Sequence, residues 1–217
     1  MGEKDVSAMA DFILYGFGES GNSYKAALML ELCGLDYEVR PVDYFGGETR
    51  SEAYRKTINP LGEVPVLLHE DKKLTQSGVI LDYLADLTGQ YGAQSKDEQR
   101  EILRWILYDN HKFTSYVATL RFMLQFTAGP EPAVAEFLKQ RANASLKIVD
   151  GHLATRDFIL DGRATIADLS MCGYMFFDGE LGVSFESYPH IGSWLERIKN
   201  LPRWKHPYNL LPRMYVR

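Results

Sequence analysis

The sequence predicts an α/β domain over residues 11–89, a short linker over residues 90–96 and an all-helical domain over residues 97–217. Three observations carry this. Short apolar runs flank one helical stretch near the start and give β-α-β within about 35 residues, the length of a crossover unit. Pro65 then opens an apolar run that reaches the charged tip Glu70-Asp71-Lys72-Lys73, which reads as an antiparallel hairpin. After Gly89-Gln90-Tyr91-Gly92 the strand patterns stop, and from Asp97 onward apolar residues recur at helical spacing.

Taken in order, Met1–Ala10 reads as a flexible tail, because it carries charges but no apolar run of signal-peptide type. Asp11–Gly16 is a strand, and Asn22–Cys33 is a helix capped by Asn22 or a neighbour and stopped by Gly34. Tyr37–Val42 alternates as a strand, a glycine-rich loop follows at Phe45–Glu48, and Ser51–Lys56 forms a short helix. The turn Asn59-Pro60-Leu61-Gly62 leads into the hairpin, with Pro65 at an edge, a strand start or a cis turn. Ser77 stands as the N-cap of a helix beginning at Gly78, whose free N–H groups suit an anion. The resulting order, β-α-β-α-β-β-α, is that of a thioredoxin-like fold.

In the second part, Ile102, Leu103, Ile106 and Leu107 continue into Phe113, Tyr116, Val117 and Leu120 as one stripe. Gly129-Pro130-Glu131-Pro132 breaks it and places Pro132 in the first turn of the next helix. Thr165 and Asp168 have the spacing of a capping box, so Asp168 reads as a helix-start residue and not as a catalytic acid.

Composition excludes several classes. The chain has 217 residues and a net charge of −5, which lacks the basic face that nucleic-acid phosphates require. Arg197, Lys199, Arg203 and Lys205 read as a solvated helix face. No apolar run is long enough to span a bilayer. Cys33 and Cys172 are far apart and read as buried free thiols of a reducing, cytoplasmic compartment. The histidines at 69, 111, 152, 190 and 206 lack metal-ligand spacing, so no metal is expected.

One motif competes. Gly16-Phe17-Gly18-Glu19-Ser20-Gly21 spells Gly-x-Gly-x-x-Gly, with Asp43 about twenty residues on, as in dinucleotide sites. Its context argues against a nicotinamide cofactor, since further parallel β-α units are missing.

The run Asn59-Pro60-Leu61-Gly62-Glu63-Val64-Pro65-Val66-Leu67, followed by Gln76-Ser77-Gly78-Val79-Ile80-Leu81-Asp82-Tyr83-Leu84, resembles the glutathione-binding half of the cytosolic glutathione transferase superfamily. Thr165-Ile166-Ala167-Asp168 is similar to the element that opens the buried helix of the family's second domain, so the resemblance extends from about Phe12 to Trp204. It implies that Val64, before a cis Pro65, pairs its backbone with glutathione, and that Gln76 and Ser77 hold the γ-glutamyl carboxylate. It places Ser20 where serine-type, zeta-like enzymes keep the thiol-activating hydroxyl, and Asn22 where nu-like enzymes have a thiol-contacting asparagine; Ser23 stays open as a substitute. The zeta-like isomerases carry Ser-Ser-Cys here, and Ser20-Gly21-Asn22 departs from that pattern. The absence of a loop cysteine also argues against a mixed disulfide with the enzyme. The resemblance further implies glutathione as co-substrate, no metal, and a detoxifying homodimer. The electrophile would be small and hydrophobic, held between domains by Phe17, Tyr108, His111, Lys112, Tyr116 and the terminal Met214-Tyr215. Glutathione-dependent disulfide or peroxide reduction, and a non-catalytic binding module, are the alternatives.

Overall fold

A four-stranded sheet in the order β2-β1-β3-β4 organises the first part of the chain. The computed structural model describes residues 11–177 and 179–215, so the expected tail at 1–10 lies outside the described residues. β1 (Phe12–Gly16) pairs in parallel with β2 (Tyr37–Pro41), which requires the crossover through α1 (Gly21–Leu32). β3 (Val66–His69) runs antiparallel to β1 and returns through a tight turn as β4 (Lys72–Thr75). Pro65 precedes the first ladder residue of β3, where a missing N–H costs nothing. α2 (Glu52–Thr57) lies in the β2–β3 connection, and α3 (Ser77–Thr88) follows the hairpin.

Helices make up the remainder: α4 (Lys96–Tyr108), α5 (Ser115–Phe126), α6 (Pro132–Leu153), α7 (Ile166–Met171), α8 (Pro189–Lys199) and α9 (Pro207–Leu210). A π-helical turn over Asp109–Thr114 joins α4 to α5, an insertion the helical spacing alone does not reveal. The expected stripe does not all face the core. Ile102, Ile106, Phe113, Val117 and Leu120 are buried, whereas Leu103 and Leu107 face outward.

One apolar core runs through both parts, from Leu14 and Leu67 in the sheet through Leu28 and Leu81 to Trp105, Leu146, Met171 and Trp194. Each such side chain, fully removed from water, contributes about 1.5–3 kcal/mol. Two buried polar clusters are set in it. Asp168 takes N–H bonds from Ile159 (2.8 Å), Thr165 (2.8 Å) and the Trp194 indole (2.9 Å), completing the expected capping box. Burial raises the Asp168 carboxyl, and these donors counter it. In the second cluster Lys25, on α1, meets Asp109 at 2.6 Å, while Ser170 and Thr114 donate to the same carboxylate at 2.6 and 2.7 Å. Both charged residues are fully buried, and the pair ties the sheet-side helix to the π-helical turn.

Two expectations need correction. Gln76, not Ser77, occupies the N-cap of α3, at φ 67°, and Ser77 is the first helical residue. The left-handed backbone at Gln76 turns the chain sharply out of β4 and starts the helix one residue early. Cys172 is buried as expected, but Cys33 is only half-buried, beside Thr88 at the end of α3.

Candidate active site

A cleft of about 450 Å³ lies between the sheet domain and α5, within the roughly 300–1,000 Å³ usual for small-molecule sites. Its polar floor comes from three adjoining stretches. The β1–α1 loop places Ser20 at the N-cap of α1, with Ser20 Oγ accepting the Ser23 N–H at 3.1 Å. That bond uses a lone pair, so the Ser20 O–H remains available to donate. Ser23 itself is fully buried and does not line the cleft. Gly21 permits this arrangement, because a Cβ there would sit 2.5 Å from the Tyr174 ring. The glycine pattern thus serves close packing around the loop.

The second stretch is Glu63-Val64-Pro65, and the Val64–Pro65 peptide bond is cis. Among the described residues, the Val64 backbone N–H and C=O take no hydrogen-bond partner, which leaves open backbone groups just ahead of β3 at the cleft. The third is the start of α3. Ser77 Oγ–H reaches Asn22 Oδ1 at 3.5 Å, linking the first turns of α1 and α3, and Gln76 Nε2 donates to Glu63 at 2.8 Å. Two helix N-termini therefore converge on one cleft, and each favours negative charge. Holding a non-glycine residue at φ 67°, as at Gln76, costs about 1–3 kcal/mol, and such residues cluster at ligand sites.

The opposite wall is apolar. Phe17 stacks on Tyr44 at 5.2 Å and meets Phe45 at 5.7 Å, while Phe122 and Phe126, one turn apart on α5, complete the surface. Arg121, 2% exposed, also lines the cleft, and it donates to Glu180 at 3.0 and 2.5 Å and to the Glu19 carbonyl at 2.5 Å. Its charge is thus compensated, and it braces the loop just ahead of Ser20.

Of the residues singled out in the sequence, Phe17, Ser20, Asn22, Val64, Pro65, Gln76 and Ser77 come together here. Tyr108, His111, Lys112 and Tyr116 do not line the cleft. The Tyr108 hydroxyl bonds Ser145 at 3.0 Å, Tyr116 packs edge-on against Phe137 at 6.5 Å, and His111 and Lys112 are exposed. Neither cysteine lines the cleft. Sequence reasoning missed Glu63, Tyr44, Phe45, Phe122 and Phe126. Phe122 and Phe126 carried the i, i+4 spacing of a common face, but α5 bears apolar residues on several faces and its pattern does not say which one meets the cleft.

The chain matches the family model for the glutathione S-transferase N-terminal domain over residues 10–86 and that for the C-terminal domain over residues 110–202. A maleylacetoacetate isomerase of Rhizobium meliloti is 33% identical over 169 residues, covering 73% of this chain and 78% of that protein. The chain belongs to the glutathione S-transferase family. Glutathione S-transferase F14 of Arabidopsis thaliana is 29% identical over 198 residues, covering 85% of this chain and 77% of that protein. Among solved structures, a glutathione S-transferase from Pseudomonas fluorescens superposes with a TM-score of 0.85 at 32% identity, covering 91% of this chain and 99% of that one. The sheet and helical parts thus form the transferase fold. No described helix is long and apolar enough to cross a membrane, and no group of metal-ligating residues occurs among the described residues.

Proposed function

We propose that the protein conjugates glutathione to small hydrophobic electrophiles. The observation that carries this is the Ser20 hydroxyl at the N-cap of α1, its proton free, in one cleft with the open Val64 backbone and the start of α3. A free thiol titrates near about 8.5 and is mostly protonated at neutral pH. A hydrogen bond from Ser20, with the positive end of α1, favours the thiolate and lowers that pKa. Asn22 provides a second donor through its amide. The cysteinyl backbone of glutathione pairs with Val64, and its γ-glutamyl carboxylate sits against Gln76, Ser77 and the first N–H groups of α3. Glu63, held by Gln76, offers an acceptor for the γ-glutamyl ammonium. The thiolate then attacks an electrophile on the aromatic wall, forming a C–S bond as the leaving group departs or the acceptor takes the electron pair.

A cytoplasmic homodimer fits the same reading. The two cysteines are free, as suits a reducing compartment. α3 and α4 leave Val79, Leu103 and Leu107 52%, 55% and 60% exposed beside one another, an apolar face that a second copy would cover. Light scattering after size exclusion should give twice the monomer mass, and Leu103→Glu should return the monomer.

Turnover of 1-chloro-2,4-dinitrobenzene with glutathione tests the reaction. Ser20→Ala should lower kcat by about 10²-fold or more while retention on immobilised glutathione persists. Retention without turnover by the unmodified protein would instead favour a binding module.

A further inference from the structure

After α9 the chain returns to the β1–α1 loop and runs along it. Gly18 N–H donates to the Pro212 carbonyl at 2.7 Å. The Glu19 carboxylate then accepts two successive backbone N–H groups, Met214 at 3.0 Å and Tyr215 at 3.1 Å, one on each oxygen. Glu19 is only 3% exposed, and Arg213 stands 3.7 Å from its carboxylate. The loop is shaped for this contact: a Cβ on Gly18 would lie 2.9 Å from the Leu211 carbonyl oxygen and 3.0 Å from that of Pro212. Glu19 also faces the other way through its backbone, since its carbonyl receives Arg121 and the next residue is Ser20. Beyond the carboxylate, the Tyr215 ring lies 4.9 Å from Phe45 and 4.9 Å from Phe126, both part of the apolar wall.

We propose that Glu19 is a latch: its carboxylate holds the C-terminal segment along the β1–α1 loop so that Tyr215, against Phe45 and Phe126, extends the aromatic wall and makes the site selective for planar aryl electrophiles. The proposal rests on the transferase reading of the cleft. A carboxylate offers an acceptor oxygen to each of the two N–H groups, where the amide of glutamine has one acceptor oxygen and one donor. A ring surface extended edge and face by Phe45, Phe126 and Tyr215 rewards a flat aromatic partner more than a small aliphatic one, because aromatic pairs add to the gain from burial. Glu19 touches neither thiol nor electrophile in this scheme and acts as a positioning residue.

The test uses the full chain, with Glu19→Gln and Tyr215→Ala singly and together. Glutamine turns an N–H toward one of the two donors and so cannot hold both. KM is measured for 1-chloro-2,4-dinitrobenzene and for iodomethane at saturating glutathione, and hydrogen exchange is followed at the Met214 and Tyr215 amides. Each single variant should raise KM for the aryl substrate about five- to tenfold, leave iodomethane and glutathione KM within about twofold, and combine without further loss. Exchange at the two amides should quicken by about tenfold or more in Glu19→Gln. Equal loss with both electrophiles, or additive losses in the double variant, would overturn the latch. Should the unmodified protein turn over neither electrophile, the transferase reading fails. The exchange measurement still decides the latch: protection that Glu19→Gln removes supports it, and unprotected amides refute it.

Discussion

The two walls of the cleft are built on opposite principles. On the sheet side the cleft is lined by the open Val64 backbone, the start of α3 and the capped start of α1, with the short side chains of Ser20, Asn22 and Ser77, all placed by local turns and tight loops. On the helical side the surface consists of side chains, Phe45, Phe122 and Phe126, brought together from a loop and from α5. Backbone donors suit a constant ligand, because their geometry does not change when side chains vary. Ring surfaces suit a variable one, because apolar contact is non-directional. The walls are joined by the buried Lys25–Asp109 pair, which connects α1 to the turn between α4 and α5.

Breaking that junction should have the largest effect. Lys25→Met leaves Asp109 buried without its cation and should cost about 3–5 kcal/mol in urea unfolding; adding Asp109→Leu should restore much of it. Smaller, and confined to the backbone wall, is Ser77→Ala. Losing a hydroxyl from the anion site should raise the glutathione Kd by about tenfold by calorimetry, with electrophile KM unchanged. Phe122→Ala should do the reverse, raising electrophile KM about threefold to tenfold and leaving glutathione binding intact. If either variant moved both constants equally, the division between the walls would not stand.

The smallest effect concerns the helical half alone. Burial, with Arg156 and Arg104 nearby, holds the His152 imidazole below its ordinary value, although its Nε2–H donates to the Ile159 carbonyl at 2.8 Å. A histidine with a depressed pKa binds fewer protons folded than unfolded, so stability is lost as pH falls from the unfolded value, about 6.5, toward the folded one. Tm should decline below about pH 6.5, and His152→Gln should flatten that decline.

How far the sequence could be read followed the same division. The hairpin behind Pro65 and the capping box at Thr165 and Asp168 each depend on neighbours a few residues apart and were legible, as was the start of α3 to within one residue. That Phe122 and Phe126, and not Tyr108, His111 and Tyr116, line the cleft was not, because the π-helical turn and the several apolar faces of α5 give no local sign of which face meets it. Nor does any local pattern mark what Glu19 holds. Its partners, Arg121 and the N–H groups of Met214 and Tyr215, lie 102 to 196 positions away.

What the sequence by itself determined is the local structure on the sheet side of the cleft: the turns, the hairpin and, to within a residue, the helix starts, which are set by short-range sterics and hydrogen bonding. Only the tertiary structure decided which rings form the apolar wall of the cleft, where Lys25 finds its counter-charge and what Glu19 holds. Those contacts join elements distant in the chain, and packing, unlike capping, leaves no fixed spacing behind.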